Sequence, residues 1–231
     1  MKRRTLLVST LLAGARSLLA ASGAPANQLG ICTFSCHQHW RAVSEAGKQG
    51  IDLATLKFRD PLTFCRYVHG LGATRVQTPL RDTEPTAMRS WAEDAGTSYE
   101  GEVRLPKSDA DLAAFEKEVR RTREAGATVA RAVFTGGRRY EIFSSLAEYR
   151  AFHEQSRQIL ARIEPIARKH RLKIAIENHK DHTAAELAGL MQEFSSEWIG
   201  VLVDTGNNLA LLEDPAENIG TLEPFVTSVH L

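Results

Sequence analysis

Three stretches constrain this chain most: "IAIENH" (174–179), "GVLVDTGN" (200–207) and "VTSVHL" (226–231). Each is a short apolar, largely β-branched run that reaches a residue capable of binding a metal or moving a proton: Glu177, Asp204 or His230. Asp204 follows Glu177 by 27 residues, and His230 follows Asp204 by 26. That interval holds one strand, one helix and two turns. The amphipathic segment "TAAELAGLMQEF" (183–194) fills the first interval and "PAENIGTLEPF" (215–225) the second. Short apolar strands alternating with amphipathic helices imply parallel strands covered by helices.

The same alternation runs upstream. "LGICTFSCH" (29–37) reads as a first strand. A helix follows over "DPLTFCRYVHGLG" (60–72), with Asp60 as N-cap and Pro61 in the first turn. "ATRVQTPL" (73–80) is the second strand, with a polar helix over 86–94, and "YEGEVRLP" (99–106) is a weaker third strand. "SDADLAAFEKEVRRTREAGA" (108–127) is an amphipathic helix capped by Ser108 and closed by Gly126. "TVARAVFTG" (128–136) is the fourth strand, and the longest helix spans about 146–170. No dinucleotide glycine fingerprint or phosphate-binding loop follows any strand. The expected fold is therefore α/β, a (β/α)8 TIM barrel, with a doubly wound sheet as the alternative. Such a barrel takes about 250 residues, and seven strands are countable here. The expectation is a barrel cut off after its seventh strand, leaving the first and seventh strands as edges.

Residues 1–26 form a separate unit. "MKRRTLLVSTLLAGARSLLAASGAPA" has a basic start, an apolar middle and an A-x-A-like end at Ala24-Pro25-Ala26. Arg3-Arg4 before Thr5-Leu6-Leu7 resembles a twin-arginine signal, which predicts export to the periplasm. Arg16 interrupts the apolar stretch, so no stable membrane span is expected. Removing this segment takes four of the 29 Lys+Arg (Lys2, Arg3, Arg4, Arg16) and none of the 28 Asp+Glu, leaving a net charge of −3. With no basic block in the remainder, a nucleic-acid partner is not expected. A single domain, 27–231, is expected, because no Gly/Ser/Pro-rich linker divides it.

Cys32 and Cys36 lie four apart in what reads as one strand, roughly 13 Å from each other and too far to bridge. With Cys65 they are expected to be buried thiols rather than a disulfide or metal framework.

The strand ends carry the chemistry. In parallel barrels functional side chains sit at the C-terminal ends of strands. Glu177 and Asp204 on adjacent strands would repel each other at the rim of the core, and an unpaired carboxylate there is costly. A divalent cation held by Glu177, Asp204 and His230 removes both problems. Asn207, His179, Lys180 and His182 crowd the same two loops. His37 ends the first expected strand and is placed at the same mouth. Arg138 and Arg139 follow the fourth strand, where a guanidinium can grip an acidic substrate.

"IAIENHKDHTAAEL", "GVLVDTGNNLALLEDP" and "VTSVHL" together resemble the xylose isomerase-like TIM barrel family, the sugar phosphate isomerase/epimerase group. The resemblance implies a divalent metal held by Glu, Asp, His and a second Glu at the ends of strands five to eight. Glu177, Asp204 and His230 match the first three, and the fourth is expected beyond Leu231. Carboxylates with one imidazole suit Mn2+, Mg2+, Co2+ or Zn2+. The resemblance implies a sugar chelated through a carbonyl and a neighbouring hydroxyl, with an enediolate formed when a base removes the α-proton. Glu177 is the expected base, and Lys180 the group that polarises a carbonyl or acts as an acid. His37, His179, Asn207, Arg138 and Arg139 are the expected substrate contacts.

The reading that follows is an exported, metal-dependent isomerase or epimerase of a free ketose or keto-sugar. The leader argues against a phosphorylated substrate. A lyase, dehydratase or decarboxylase acting on a keto-sugar acid uses the same intermediate and stands as the alternative. So does an inactive, truncated sugar-binding remnant. A repair endonuclease would need more histidines and a basic face. The sequence leaves oligomeric state open, a homo-oligomer included.

Overall fold

The computed structural model describes residues 29–50, 52 and 56–231. The expected leader, residues 1–26, lies outside the described residues. Seven parallel strands form one sheet in sequence order: β1 (Gly30–Cys32), β2 (Arg75–Thr78), β3 (Ser98–Glu102), β4 (Val129–Ala132), β5 (Lys173–Glu177), β6 (Ile199–Asp204) and β7 (Val226–His230). Helices occupy the intervals: α1 (His37–Lys48), α2 (Pro61–Gly70), α3 (Pro85–Ala95), α4 (Leu112–Glu124), α5 (Leu146–His170), α6 (Ala184–Phe194) and α7 (Pro215–Leu222), with a short helical turn at Arg139–Ile142.

The sheet curls strongly. Five strand spacings separate β2 from β7, about 24 Å in a flat sheet. Yet His230 of β7 is hydrogen-bonded to Gln77 of β2 at 2.9 Å, and Ser228 of β7 to Glu100 of β3 at 2.9 Å. Only a sheet rolled towards closure brings these side chains together. This is the (β/α) barrel arrangement, and it removes the doubly wound alternative. Among the described residues, β1 pairs only with β2 and β7 only with β6.

The period-2 alternation of the strands assigns the two faces. Val76, Tyr99, Ala130, Ile174, Ile176, Val201 and Val203 point outwards and pack in the main core. Their helical partners include Phe64, Met88, Phe115, Val119, Leu160, Ile163, Leu187 and Leu222. Burying each of the larger aliphatic or aromatic side chains stabilises the fold by about 1.5–3 kcal/mol. The opposite face, inside the curl, carries Gln77, Glu100, Glu102, Arg131, Glu177 and His230. The sheet thus separates an oily layer from a polar hollow.

Local signals explain the helix starts. Asp60 accepts from the Thr63 amide at 2.9 Å while Thr63 Oγ1 accepts from the Asp60 amide at 3.1 Å, a reciprocal capping box before Pro61. Thr183 and Glu186 form the same box at the head of α6. This matters for the site, because the α6 cap anchors the loop that follows β5.

The first expected strand needs correction. β1 ends at Cys32, Thr33–Cys36 is a 3-10 turn, and His37 begins α1 instead of ending a strand. The apolar residues Trp40, Val43 and Ala46 recur every third position and are the buried face of α1. The strand-based separation of Cys32 and Cys36 therefore does not apply. All three cysteines are free, but only Cys65 is buried; Cys32 and Cys36 are partly exposed.

Candidate metal centre

β5, β6 and β7 end side by side. The ladders place Glu177 opposite Leu202, and Asp204 opposite His230. Glu177, Asp204 and His230 each offer a ligand atom, and the three atoms lie within 4.8 Å of one another. Glu177 is buried, with Asp204 and His230 half-buried. They sit on a cavity of about 610 Å3 that also takes in Arg131, His179, Lys180 and Asn207. That volume is within the range of small-molecule sites.

Each ligand is fixed by its own surroundings. Asn207 donates its side-chain amide to Glu177 Oε1 at 2.8 Å. Arg131 Nε donates to Glu177 Oε2. Asp204 Oδ1 accepts from the backbone amides of Gly206 and Asn207, both at 2.9 Å. Asn178, the next residue after Glu177, bridges β5 to β6: its Oδ1 accepts from the Asp204 amide at 2.7 Å and its Nδ2 donates to the Asp204 carbonyl at 3.0 Å. Beneath it the buried Asn208 and Asn218, with the half-buried Glu213, complete a polar support.

Two electrostatic facts refine the sequence argument. Glu177 is not an unpaired acid: Arg131 spans Glu177 and Glu102, its Nη1 lying 3.6 Å from Glu102 Oε2. Burial raises the Glu102 carboxyl above the usual range, and the Arg131 charge pulls the other way. Burial also pushes the His230 imidazole below its ordinary value, opposed by the nearby Glu177 charge. A neutral imidazole is the form that binds a metal. An ionised carboxylate has about four lone-pair sites. Glu177 therefore keeps capacity for a cation after its bonds to Arg131 and Asn207, and the donor set fits a divalent ion.

The other expected site residues divide. His179 lines the cavity, and its Nδ1 is 3.0 Å from the Thr135 carbonyl. A carbonyl can only accept, so Nδ1 bears the hydrogen, and in the neutral ring the lone pair is on Nε2. Lys180 lines the cavity from a left-handed backbone conformation, φ 70°. Asn207 stands between the two acids. His37 is exposed on α1, its Nδ1 3.1 Å from the Phe34 carbonyl, and borders an adjoining hollow of about 300 Å3.

Arg138 and Arg139 are not brought to the cavity. Arg138 pairs with Glu141 at 2.7 Å on the surface. Arg139 pairs with Glu186 at 2.9 Å and lies over the Tyr149 ring at 3.4 Å. Arg139 thus faces the α5–α6 side, while Arg138 stays on the surface of the short helical turn. His182 is fully buried behind the loop, among Phe134, Phe152 and His153.

Sequence reasoning missed Arg131, Gln77 and Asn178. Arg131 and Gln77 were legible in principle. Each is a long polar side chain within a short strand, Arg131 between two alanines and Gln77 between Val76 and Thr78, at the inward parity of that strand.

The family model described as xylose isomerase-like TIM barrel matches residues 40–231. The chain belongs to that family. No curated protein matches it. Solved structures of the same architecture include D-psicose 3-epimerase in the presence of D-fructose, with 16% identity, TM-score 0.60, and coverage of 72% of this chain and 65% of that one. L-ribulose 3-epimerase aligns with 15% identity, TM-score 0.61, and coverage of 74% and 64%. The probable 3-DHS dehydratase AsbF of Bacillus anthracis, involved in petrobactin synthesis, aligns with 15% identity, TM-score 0.60, and coverage of 88% and 72%. At these identities the likeness is one of fold. The chain spans just under two thirds of the length of the two epimerases. Among the described residues of this xylose isomerase-like chain, no helix is long and apolar enough to cross a membrane.

Proposed function

We propose that this protein is a divalent-metal-dependent isomerase or epimerase of a free keto-sugar. The observation that carries the proposal is the meeting of Glu177, Asp204 and His230 within 4.8 Å on one polar cavity. These three residues hold the ion. A bound divalent ion supplies positive charge beside a substrate carbonyl, lowering the cost of removing the neighbouring proton.

The chain's own groups do the rest. Arg131 and Asn207 fix the Glu177 carboxylate so that it meets the substrate carbon as a base without rotating. The Nε2 lone pair of His179 accepts a sugar hydroxyl. The Lys180 ammonium offsets negative charge developing on oxygen and can return a proton. The solved epimerases of the same fold support this reading, and the leader-like N-terminus supports a substrate without phosphate.

A second reading is a dehydratase or related lyase on a sugar acid. It is favoured by Lys180, which lines the cavity where Arg138 and Arg139 do not. The dehydratase of the same fold supports it.

Solvent-deuterium exchange into a panel of free ketoses, with Mn2+ or Co2+ present, tests the first reading. Carbon-bound deuterium in one ketose and its epimer is the expected result. Water loss from a sugar acid without exchange into any ketose selects the second reading. Glu177→Gln with Asp204→Asn should abolish Mn2+ binding by calorimetry, and equal metal content in wild type and variant would remove the metal centre from both.

A further inference from the structure

A chain of side chains crosses the interior of the curl. His230 Nε2 lies 2.9 Å from Gln77 Oε1, and Gln77 Nε2 donates to Glu100 Oε2 at 3.1 Å. Ser228 Oγ donates to the same Glu100 oxygen at 2.9 Å. The Arg75 guanidinium is 3.8 Å from the other Glu100 oxygen. Three strands contribute: β7 supplies His230 and Ser228, β2 supplies Gln77 and Arg75, and β3 supplies Glu100.

The direction of each bond follows from chemistry. A carboxylate can only accept, so Glu100 requires the NH2 end of the Gln77 amide. That orients the Gln77 carbonyl oxygen at His230. An amide oxygen also can only accept, so the ring nitrogen facing it bears the hydrogen. We infer that Gln77 and Glu100 are positioning residues that hold His230 in the tautomer protonated on Nε2, so that Nδ1 is the nitrogen offered to the metal. The inference rests on the metal-site reading of Glu177, Asp204 and His230. Glu100 acts at one remove, through the amide it orients. Partners of this kind, accepting the hydrogen of the second ring nitrogen, fix the ring and raise its basicity as a ligand.

A purely structural role is the rival: the same bonds would then only tie the end of β7 to β2 and β3. The experiment separates the two. Metal-free protein labelled with 15N-histidine is observed at mildly alkaline pH, and the His230 signals are identified by their loss in His230→Asn. The expected spectrum shows a proton-bearing Nε2 and a lone-pair Nδ1. In Gln77→Met the acceptor is gone, and the two tautomers should both be populated. Mn2+ affinity of the folded variant should fall by about tenfold to a hundredfold, the usual effect of losing such a partner. In Glu100→Gln the Gln77 amide is free to turn, and His230 should again show both tautomers.

A wild-type His230 protonated on Nδ1 overturns the inference, and this result needs neither Gln77→Met nor Glu100→Gln to fold. A folded Gln77→Met with an unchanged tautomer and unchanged Mn2+ affinity also overturns it, leaving only the structural tie. The spectrum needs neither metal nor sugar. A protein that turns over no sugar therefore leaves the inference standing, and the wrong tautomer leaves the three-ligand set standing.

Discussion

Replacing Arg131 with methionine tests how the site holds its charge before any metal arrives. Glu177 is 3% exposed and Arg131 20% exposed. Removing one partner of a buried ion pair costs about 3–5 kcal/mol, because the other charge is left uncompensated. Glu177 keeps its 2.8 Å bond from Asn207, and Arg131 is not fully buried, which points to the lower end, about 3 kcal/mol. Glu102 lies farther from the guanidinium, at 3.6 Å and 20% exposed, and adds less. For a chain of this size each kcal/mol lowers Tm by about 2–4 °C, so Arg131→Met should melt about 6–12 °C below wild type in chelator. The assay is thermal unfolding followed by circular dichroism at neutral pH. Adding Glu177→Gln should recover most of the loss, because the orphaned charge is then absent. Saturating Mn2+, at about a hundred times its Kd, should return about 2.7 kcal/mol to the single variant by taking over the role of the guanidinium. An unchanged Tm in Arg131→Met, or a double variant as unstable as the single one, would refute the argument that Arg131 neutralises Glu177.

Two further outcomes follow from the charge and burial of single groups. Burial, as the largest cause, depresses both His230 and His153 in the folded chain. The unfolded chain therefore takes up protons near pH 6.5 that the folded one resists, and stability should fall as pH drops through that value. Tm in chelator should decline from pH 7 to 5, and the decline should shrink in His153→Gln with His230→Gln; an equally steep decline in that variant would remove these histidines as its cause. Burial pushes the Cys65 thiol up to about 12, while Cys32 and Cys36 are partly exposed. Iodoacetamide should modify Cys32 and Cys36 in native protein and spare Cys65, as mapped by peptide mass; early labelling of Cys65 would mean that the α2 packing opens readily.

Local chemistry made much of the fold legible. The helix over 146–170 and the capping role of Asp60 and Ser108 come straight from side chains within a few residues of the element. The strands β5, β6 and β7 announce themselves because runs such as Ile174–Ile176 and Val201–Val203 are apolar on both parities or strongly β-branched. The weakest reading fell where the signals conflicted. Gly30–Cys32 is a true strand, but the apolar residues after it have helical spacing, and the helix that buries Trp40 prevails. The arginine pair Arg138-Arg139 has no local mark that tells a cavity-facing loop from one that turns towards α5 and α6; only its pairing with Glu141, Glu186 and Tyr149 decides that.

The sequence by itself determined the alternation of strand and helix and the residue types at the ends of β5, β6 and β7, because propensity, capping and hydrophobic period act over distances of a few residues. Only the tertiary structure decided that Arg131 from β4 meets Glu177, that Asn207 joins the two acids, and that Gln77 and Glu100 reach His230. The Asn207–Glu177, Arg131–Glu177 and His230–Gln77 contacts join residues 30, 46 and 153 positions apart. They depend on how tightly the sheet curls and on which parity of each strand faces inward, and both are set by the packing of the whole helical layer against the outer face of the sheet.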